Sequence, residues 1–158
     1  MTVFDNIAFP IRRHTEASRS AVAERVDACL RLVRLDGVED KYPAELSGGM
    51  RRRVGFARAI SLEPEILLFD EPTSGLDPVN TAAIGNVINQ LRGELEVTVV
   101  TITHDMALAF RIADRIAMIR NGRIVALDEP EVFRESVEPY VKAFLEGEVP
   151  ADQHEELL

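Results

Sequence analysis

The 158-residue chain holds one cysteine, only two lysines (Lys41 and Lys142) and no long apolar run. Each shortage removes a class of protein. Cys29 cannot form an internal disulfide, which fits a reducing cytosol, and its place on the apolar face of a helical pattern reads as core. No stretch approaches the ~18 apolar residues of a membrane-spanning helix, and the first residues lack the charged segment and hydrophobic stretch of a secretory leader. Direct membrane insertion is therefore not expected. Positive charge is scarce as well: 18 Lys and Arg against 27 Asp and Glu leave a formal charge of -9. A nucleic-acid groove or an anionic membrane surface needs basic patches, so neither is the expected main partner. There is no internal repeat and no low-complexity linker. What remains is 46% hydrophobic content in a chain of about modal domain size, enough for one core.

The opening MTVFDNIAFPIRRHT shows no clear period and is interrupted by Pro10; it reads as a short connecting or helical segment. From Glu16, the residues Val22, Val26, Cys29, Leu30 and Val33 recur at helical spacing, with Gly37 as a stop. Met50, Val54, Ala57 and Ile60 trace a second helical face that ends at Pro64. Ile66-Leu67-Leu68-Phe69 is too short for a helix and predicts a strand buried on both faces, as in a helix-covered parallel sheet. Asp77-Pro78 has the form of an N-cap followed by a first-turn proline, and Ala83, Val87, Leu91 and Leu95 continue at helical spacing. Residues 97–103, VTVVTIT, predict a second buried strand. Asp105 begins another helical segment ending near Asp114. Residues 115–120 and 123–127 flank Asn121-Gly122, a strong hairpin signal, and are predicted to close the sheet. Two short helices are predicted within 129–146, and the tail GEVPADQHEELL reads as acidic and frayed. Strand-helix alternation predicts an α/β layer structure, in which ligands bind at the carboxyl ends of the strands.

Candidate reactive groups fall at those ends. Asp70 and Glu71 follow the first strand, and His104 follows the second. Paired carboxylates at such a place suit phosphoryl transfer, one holding a hydrated magnesium ion and the other orienting or deprotonating water. Asp70 is the metal candidate and Glu71 the base; a plain acidic turn is the alternative for an isolated Asp-Glu-Pro. His104 could hydrogen-bond a γ-phosphate or the attacking water, or serve as a structural histidine. Ser74-Gly75-Leu76-Asp77 is a tight polar loop suited to a second subunit, and Asp77 also fits an ordinary N-cap. Ser47-Gly48-Gly49 precedes a helix whose first amides lack intrahelical acceptors and sit at the positive end of the macrodipole, where anions bind readily. Arg51, Arg52 and Arg53 in that first turn oppose the dipole, which calls for something negative nearby. Solvent, the chain's own carboxylates and a ligand are all candidates.

Leu46-Ser47-Gly48-Gly49, then residues 66–73 (ILLFDEPT), then Ser74-Gly75-Leu76-Asp77-Pro78, then Thr103-His104-Asp105 resemble, in order and spacing, the signature, Walker B, D-loop and H-loop motifs of ABC transporter ATPases. The opening MTVFDNIAFPIR looks like the segment after that family's Q-loop. The resemblance implies a P-loop NTPase-like ABC ATPase fold and an ATP-hydrolysing transporter subunit using ATP and Mg2+. It further implies a head-to-tail partner ATPase subunit, a membrane permease, and a cytoplasmic place on the inner face of the membrane. Ser47, Gly48, Gly49 and Met50 would then grip the nucleotide of a facing subunit, with Asp77 in the D-loop between subunits. Met50 stands where the family usually has glutamine, and ELSGGM together with residues 141–148 looks like the branch that energises Mce-type phospholipid transport.

One departure is large. No GxxxxGK[ST] phosphate loop occurs anywhere in the sequence. The chain accordingly reads as one partial ABC domain: a helical signature part (1–62), a sheet core (63–128), and C-terminal helices with an acidic tail (129–158). Alone it is expected to be inactive. The alternative is a non-catalytic module lending its signature to an intact ATPase; a DNA-repair ATPase head, which would need coiled coils and basic surface, is a more distant one.

Overall fold

The computed structural model describes residues 1–148; residues 149–158, most of the predicted frayed tail, lie outside the described residues. Two compact units are distinguished, residues 1–104 and 105–158.

The first unit opens with α1 (Val3–His14) and α2 (Arg19–Leu32). The opening segment is thus the helical one of its two alternatives. Thr2 caps it by accepting from the Asp5 amide, and the amides of Val3 and Phe4 donate to the carbonyls of Lys41 and Glu39. Pro10 sits inside without ending it, because Val3, Ile7, Ala8 and Ile11 bury one face and packing outweighs the missing N–H. In α2, Val22, Val26, Cys29 and Leu30 are buried as expected. Burial also pushes the Cys29 thiol above its ordinary range, which keeps it a neutral core group.

A 3₁₀ turn (Pro43–Glu45) leads to α3 (Gly48–Ile60), which packs on α1 and α2. Arg25 of α2 donates to the carbonyls of Ile60 and Ser61 at 3.0 and 3.3 Å, placing a cation at the negative end of α3. Strand β1 (Ile66–Asp70) follows, then α4 (Pro78–Leu95) and β2 (Thr98–Ile102). α4 runs about five turns rather than about four. Its buried stripe is Ile84, Val87, Ile88 and Leu91, so Ala83 faces outward, one position off the expected face. Each fully buried aliphatic side chain in this cluster contributes about 1.5–3 kcal/mol.

β1 and β2 pair in parallel, Ile66 opposite Thr98 through Asp70 opposite Ile102. Burial on both faces, expected of β1 and β2, is not found. Leu67 and Phe69 turn inward, Phe69 stacking at 4.5 Å on Phe56 of α3, while Ile66, Leu68, Val100 and Ile102 are exposed on the other face. Within the first unit the buried side of the pair faces α3.

The second unit holds α5 (Met106–Ile112), β3 (Ile116–Arg120), β4 (Arg123–Asp128), α6 (Pro130–Arg134) and α7 (Pro139–Glu146). The hairpin forms as read, with Asn121 and Gly122 both at positive φ. It does not close the first sheet, however: β3–β4 is a two-stranded sheet of its own. Ile116, Phe133 and Val141 form its core, and the guanidinium of Arg134 lies 3.9 Å over the Phe110 ring.

Candidate active site

Parallel pairing sets the carboxyl ends of β1 and β2 side by side, so residues far apart in sequence meet there. The Glu71 amide donates to the Ile102 carbonyl at 2.9 Å, carrying the ladder one step past the strand. His104, two residues beyond β2, approaches Glu71 from the neighbouring strand. Its Nδ1 lies 2.9 Å from Glu71 Oε1, and its backbone amide donates to the same oxygen at 3.1 Å. The histidine is 74% exposed and the glutamate 34%. Glu71 Oε2 is buried with no hydrogen-bond partner, an acceptor left open beside an occupied one. Glu71 also has φ of +46°, a left-handed conformation that a residue with a Cβ takes only when its surroundings enforce it.

Asp70, the last residue of β1, is exposed and lies on the same sheet face as Ile66 and Leu68. No group of three His, Cys, Asp or Glu side chains converges on a metal position among the described residues. Protein-bound magnesium commonly takes one or two carboxylates and completes its shell with water and substrate phosphates. Asp70 fits one such ligand, and these residues do not make a complete site.

Ser47 is the N-cap of α3, its Oγ accepting from the Met50 amide at 3.3 Å. Gly49 is buried against α4: a Cβ there would lie 3.1 Å from Asn80 Oδ1, and one at Gly48 would lie 3.4 Å from Leu76. The signature segment therefore packs on the Leu76–Asn80 stretch of its own chain. Met50 is half-buried.

Asp77 uses both carboxylate oxygens on its own helix. Oδ1 accepts from the amides of Val79 and Asn80 at 2.9 and 3.0 Å, and Oδ2 accepts from the Asn80 side chain. The N-cap reading of Asp77 is met in full. The backbone and then the side-chain bonds from Asn80 hold its carboxyl below the usual aspartate value of 3.8. A depressed folded value means that the cap is intact above the unfolded aspartate value and is lost as pH falls through the folded one. The Val79 and Asn80 amide proton shifts are expected to titrate together with a midpoint below pH 3.8, and Asp77→Asn to abolish that titration. A midpoint at or above 3.8 counts against the cap.

Arg51 is exposed to solvent, one of the anticipated fates, and the arginine side chains bond main-chain carbonyls rather than the chain's carboxylates. Arg51 donates to the Leu46 carbonyl at 2.6 Å, and Arg53 to the carbonyls of Arg34 and Val33 at 2.9 and 3.4 Å. Arg52 donates through Nη1 to the Glu71 carbonyl and through Nη2 to the Ser74 carbonyl, both at 2.6 Å. The negative partners are main-chain oxygens. Burial, and then the neighbouring Arg34, lower the pKa of Arg53. Sequence reasoning missed Arg52 and Asn80 as site residues; the one available signal was cations crowded into a first helical turn.

Comparison with solved structures aligns 99% of this chain with 61% of cbiO1 from Clostridium perfringens, described as part of the ABC transporter complex cbiONQ, at a TM-score of 0.79 and 26% identity. The chain carries the ABC ATPase fold. Its sequence agrees: residues 1–74 match the ABC transporter family model. The chain is 42% identical over 147 residues to a probable ribonucleotide transport ATP-binding protein of Mycobacterium leprae, covering 93% of this chain and 42% of that protein. It is also 42% identical over 156 residues to methionine import ATP-binding protein MetN 1 of Pseudomonas putida, covering 98% of this chain and 47% of the relative. The chain thus spans less than half the length of these curated relatives. No helix among its described residues is long and apolar enough to cross a membrane.

Proposed function

We propose that this chain forms the signature- and carboxylate-bearing part of an ATP-hydrolysing subunit of an ABC transporter. The observation that carries the reading is the contact between Glu71 and His104 at the paired strand ends. His104 occupies one carboxylate oxygen and fixes the side chain, and Oε2, buried without a hydrogen-bond partner, is the oxygen that would take a proton once a water is admitted beside it. The His104 imidazole, largely exposed, is placed to donate to a phosphate that arrives beside it. Asp70 would hold a magnesium ion through its water shell, and the ion would supply positive charge against that developing on the phosphates. The α3 amides with Ser47, Gly48, Gly49 and Met50 serve a nucleotide presented by a facing subunit, and the 74–77 loop lies at that junction. A permease would hold the assembly at the cytoplasmic face of the membrane.

The phospholipid cargo rests on Met50 and on the 141–148 segment. Relatives named for ribonucleotide and for methionine transport match at equal identity, so the rest of the chain favours no one cargo.

The test is a chimera in which this chain replaces the matching residues of the Mycobacterium leprae relative. It is expected to hydrolyse ATP, and His104→Ala to lower kcat by about 10²-fold, the usual loss for one donor at a charged transition state. Equal rates with and without His104 would remove it from the chemistry.

A further inference from the structure

Glu71 holds a backbone conformation that it would not choose, and something must hold it there. Three of its main-chain and side-chain contacts come from its own sheet and loop: its amide to Ile102, its carbonyl from the Ser74 amide at 3.2 Å, and its carboxylate from His104. The fourth comes from a different element. The guanidinium of Arg52 reaches out of α3 and, with one nitrogen on each, ties the carbonyls at the two ends of the 71–74 turn.

We infer that Arg52 is a positioning residue, whose fork fixes the left-handed Glu71 so that its carboxylate meets His104. The planar guanidinium presents two donors at a set separation, which matches two carbonyls held in one turn. A lysine ammonium can serve one of them well and the second only by moving. Arg52 stands three residues after Gly49, on the helix whose first turn carries the signature segment. Within one chain, the segment that would meet a nucleotide is thereby tied directly to the carboxylate that would act on it. A shift of α3 would be felt at Glu71 through one hydrogen bond to its own carbonyl and one to Ser74 at the other end of the turn. This inference rests on the reading of Glu71 and His104 as a working pair.

The chain has three histidines, so selective 15N-histidine labelling of the 158-residue protein, carrying Leu68→Lys and Ile102→Thr on the exposed sheet face to keep it monomeric, gives few imidazole signals, and His104→Gln assigns the one needed. Glu71→Ala should move the His104 Nδ1 resonance toward that of a free imidazole. Arg52→Met, which keeps the apolar stem and loses both donors, should move it the same way, and Arg52→Lys should return it part of the distance. Arg51→Met should leave it in place, since Arg51 bonds only the Leu46 carbonyl at the start of its own helix. An unmoved signal in Arg52→Met, with a moved one in Glu71→Ala, overturns the role of Arg52 and leaves the pair standing. An unmoved signal in Glu71→Ala removes the pair itself, and this inference with it. Should Arg52→Met lose its far-ultraviolet circular dichroism, Arg52→Gln, too short to span both carbonyls, is read in its place by the same criteria.

Discussion

Glu71→Gln in the chimera is expected to lower ATP hydrolysis by about 10²–10⁴-fold while leaving ATP bound, the range for removing a positioned general base. The substitution is nearly isosteric, and its amide oxygen can still accept from the His104 backbone amide. The site should thus keep its shape and lose only the capacity to take a proton. The geometry divides the carboxylate: Oε1 is committed to His104, and Oε2 is buried without a partner. On the proposed function the proton would pass to the second oxygen, and an amide NH2 in either position cannot accept a proton. Filter-binding or single-turnover measurements separate the two effects. A variant that hydrolyses within a few-fold of the parent would show that Glu71 is a structural acid, and a variant that loses ATP would show that it acts in binding.

The second large effect concerns the exposed sheet face. Leu68 is 76% exposed, and Ile66, Val100 and Ile102 stand beside it on a parallel pair of a kind normally covered on both faces. Four such side chains represent a gross drive of roughly 6–12 kcal/mol when covered, against association costs of about 4–15 kcal/mol. At its most favourable the difference is about 8 kcal/mol, a Kd near micromolar, so contact should be weak and concentration-dependent. The purified chain is expected to self-associate from micromolar concentrations upward, to bind a hydrophobic dye, and to melt over a broad range. Leu68→Lys with Ile102→Thr should return it to a monomer without changing its helix content. Sedimentation of the unaltered protein as a monomer, together with a sharp cooperative melt, would mean that the face is tolerated or protected.

Much of this fold was legible because its signals are local. Apolar spacing located α2 and α3, Asp77-Pro78 marked the start of α4, and Asn121-Gly122 set the hairpin turn. The opening helix was hidden by Pro10, whose local effect is overridden by the burial of Ile7 and Ile11. A continuous apolar run identified β1 and β-branched content identified β2, but both misjudged their surroundings. Ile66-Leu67-Leu68-Phe69 says what a strand could bury on each side, and only neighbours far along a chain decide what is present to cover it. The likeness of order and spacing to ABC ATPases found the fold that the comparisons support. For the site, strand order brought Glu71 to His104 as the sequence suggested. The tie from Arg52 to the 71–74 turn joins residues 19 and 22 positions apart, and no periodicity announces a hydrogen bond to a carbonyl.

Gly49 lies tight against Asn80 within the same chain. A methyl group at position 49 would press on the side chain that steadies the Asp77 cap, whether or not a phosphate ever approaches α3. A descendant of this protein that had ceased to meet any nucleotide would still be penalised for losing that glycine. Persistence of the glycine pair is therefore a gauge of the fit between two helices before it is a gauge of retained catalysis, and the open oxygen of Glu71 is the better marker of a site still at work.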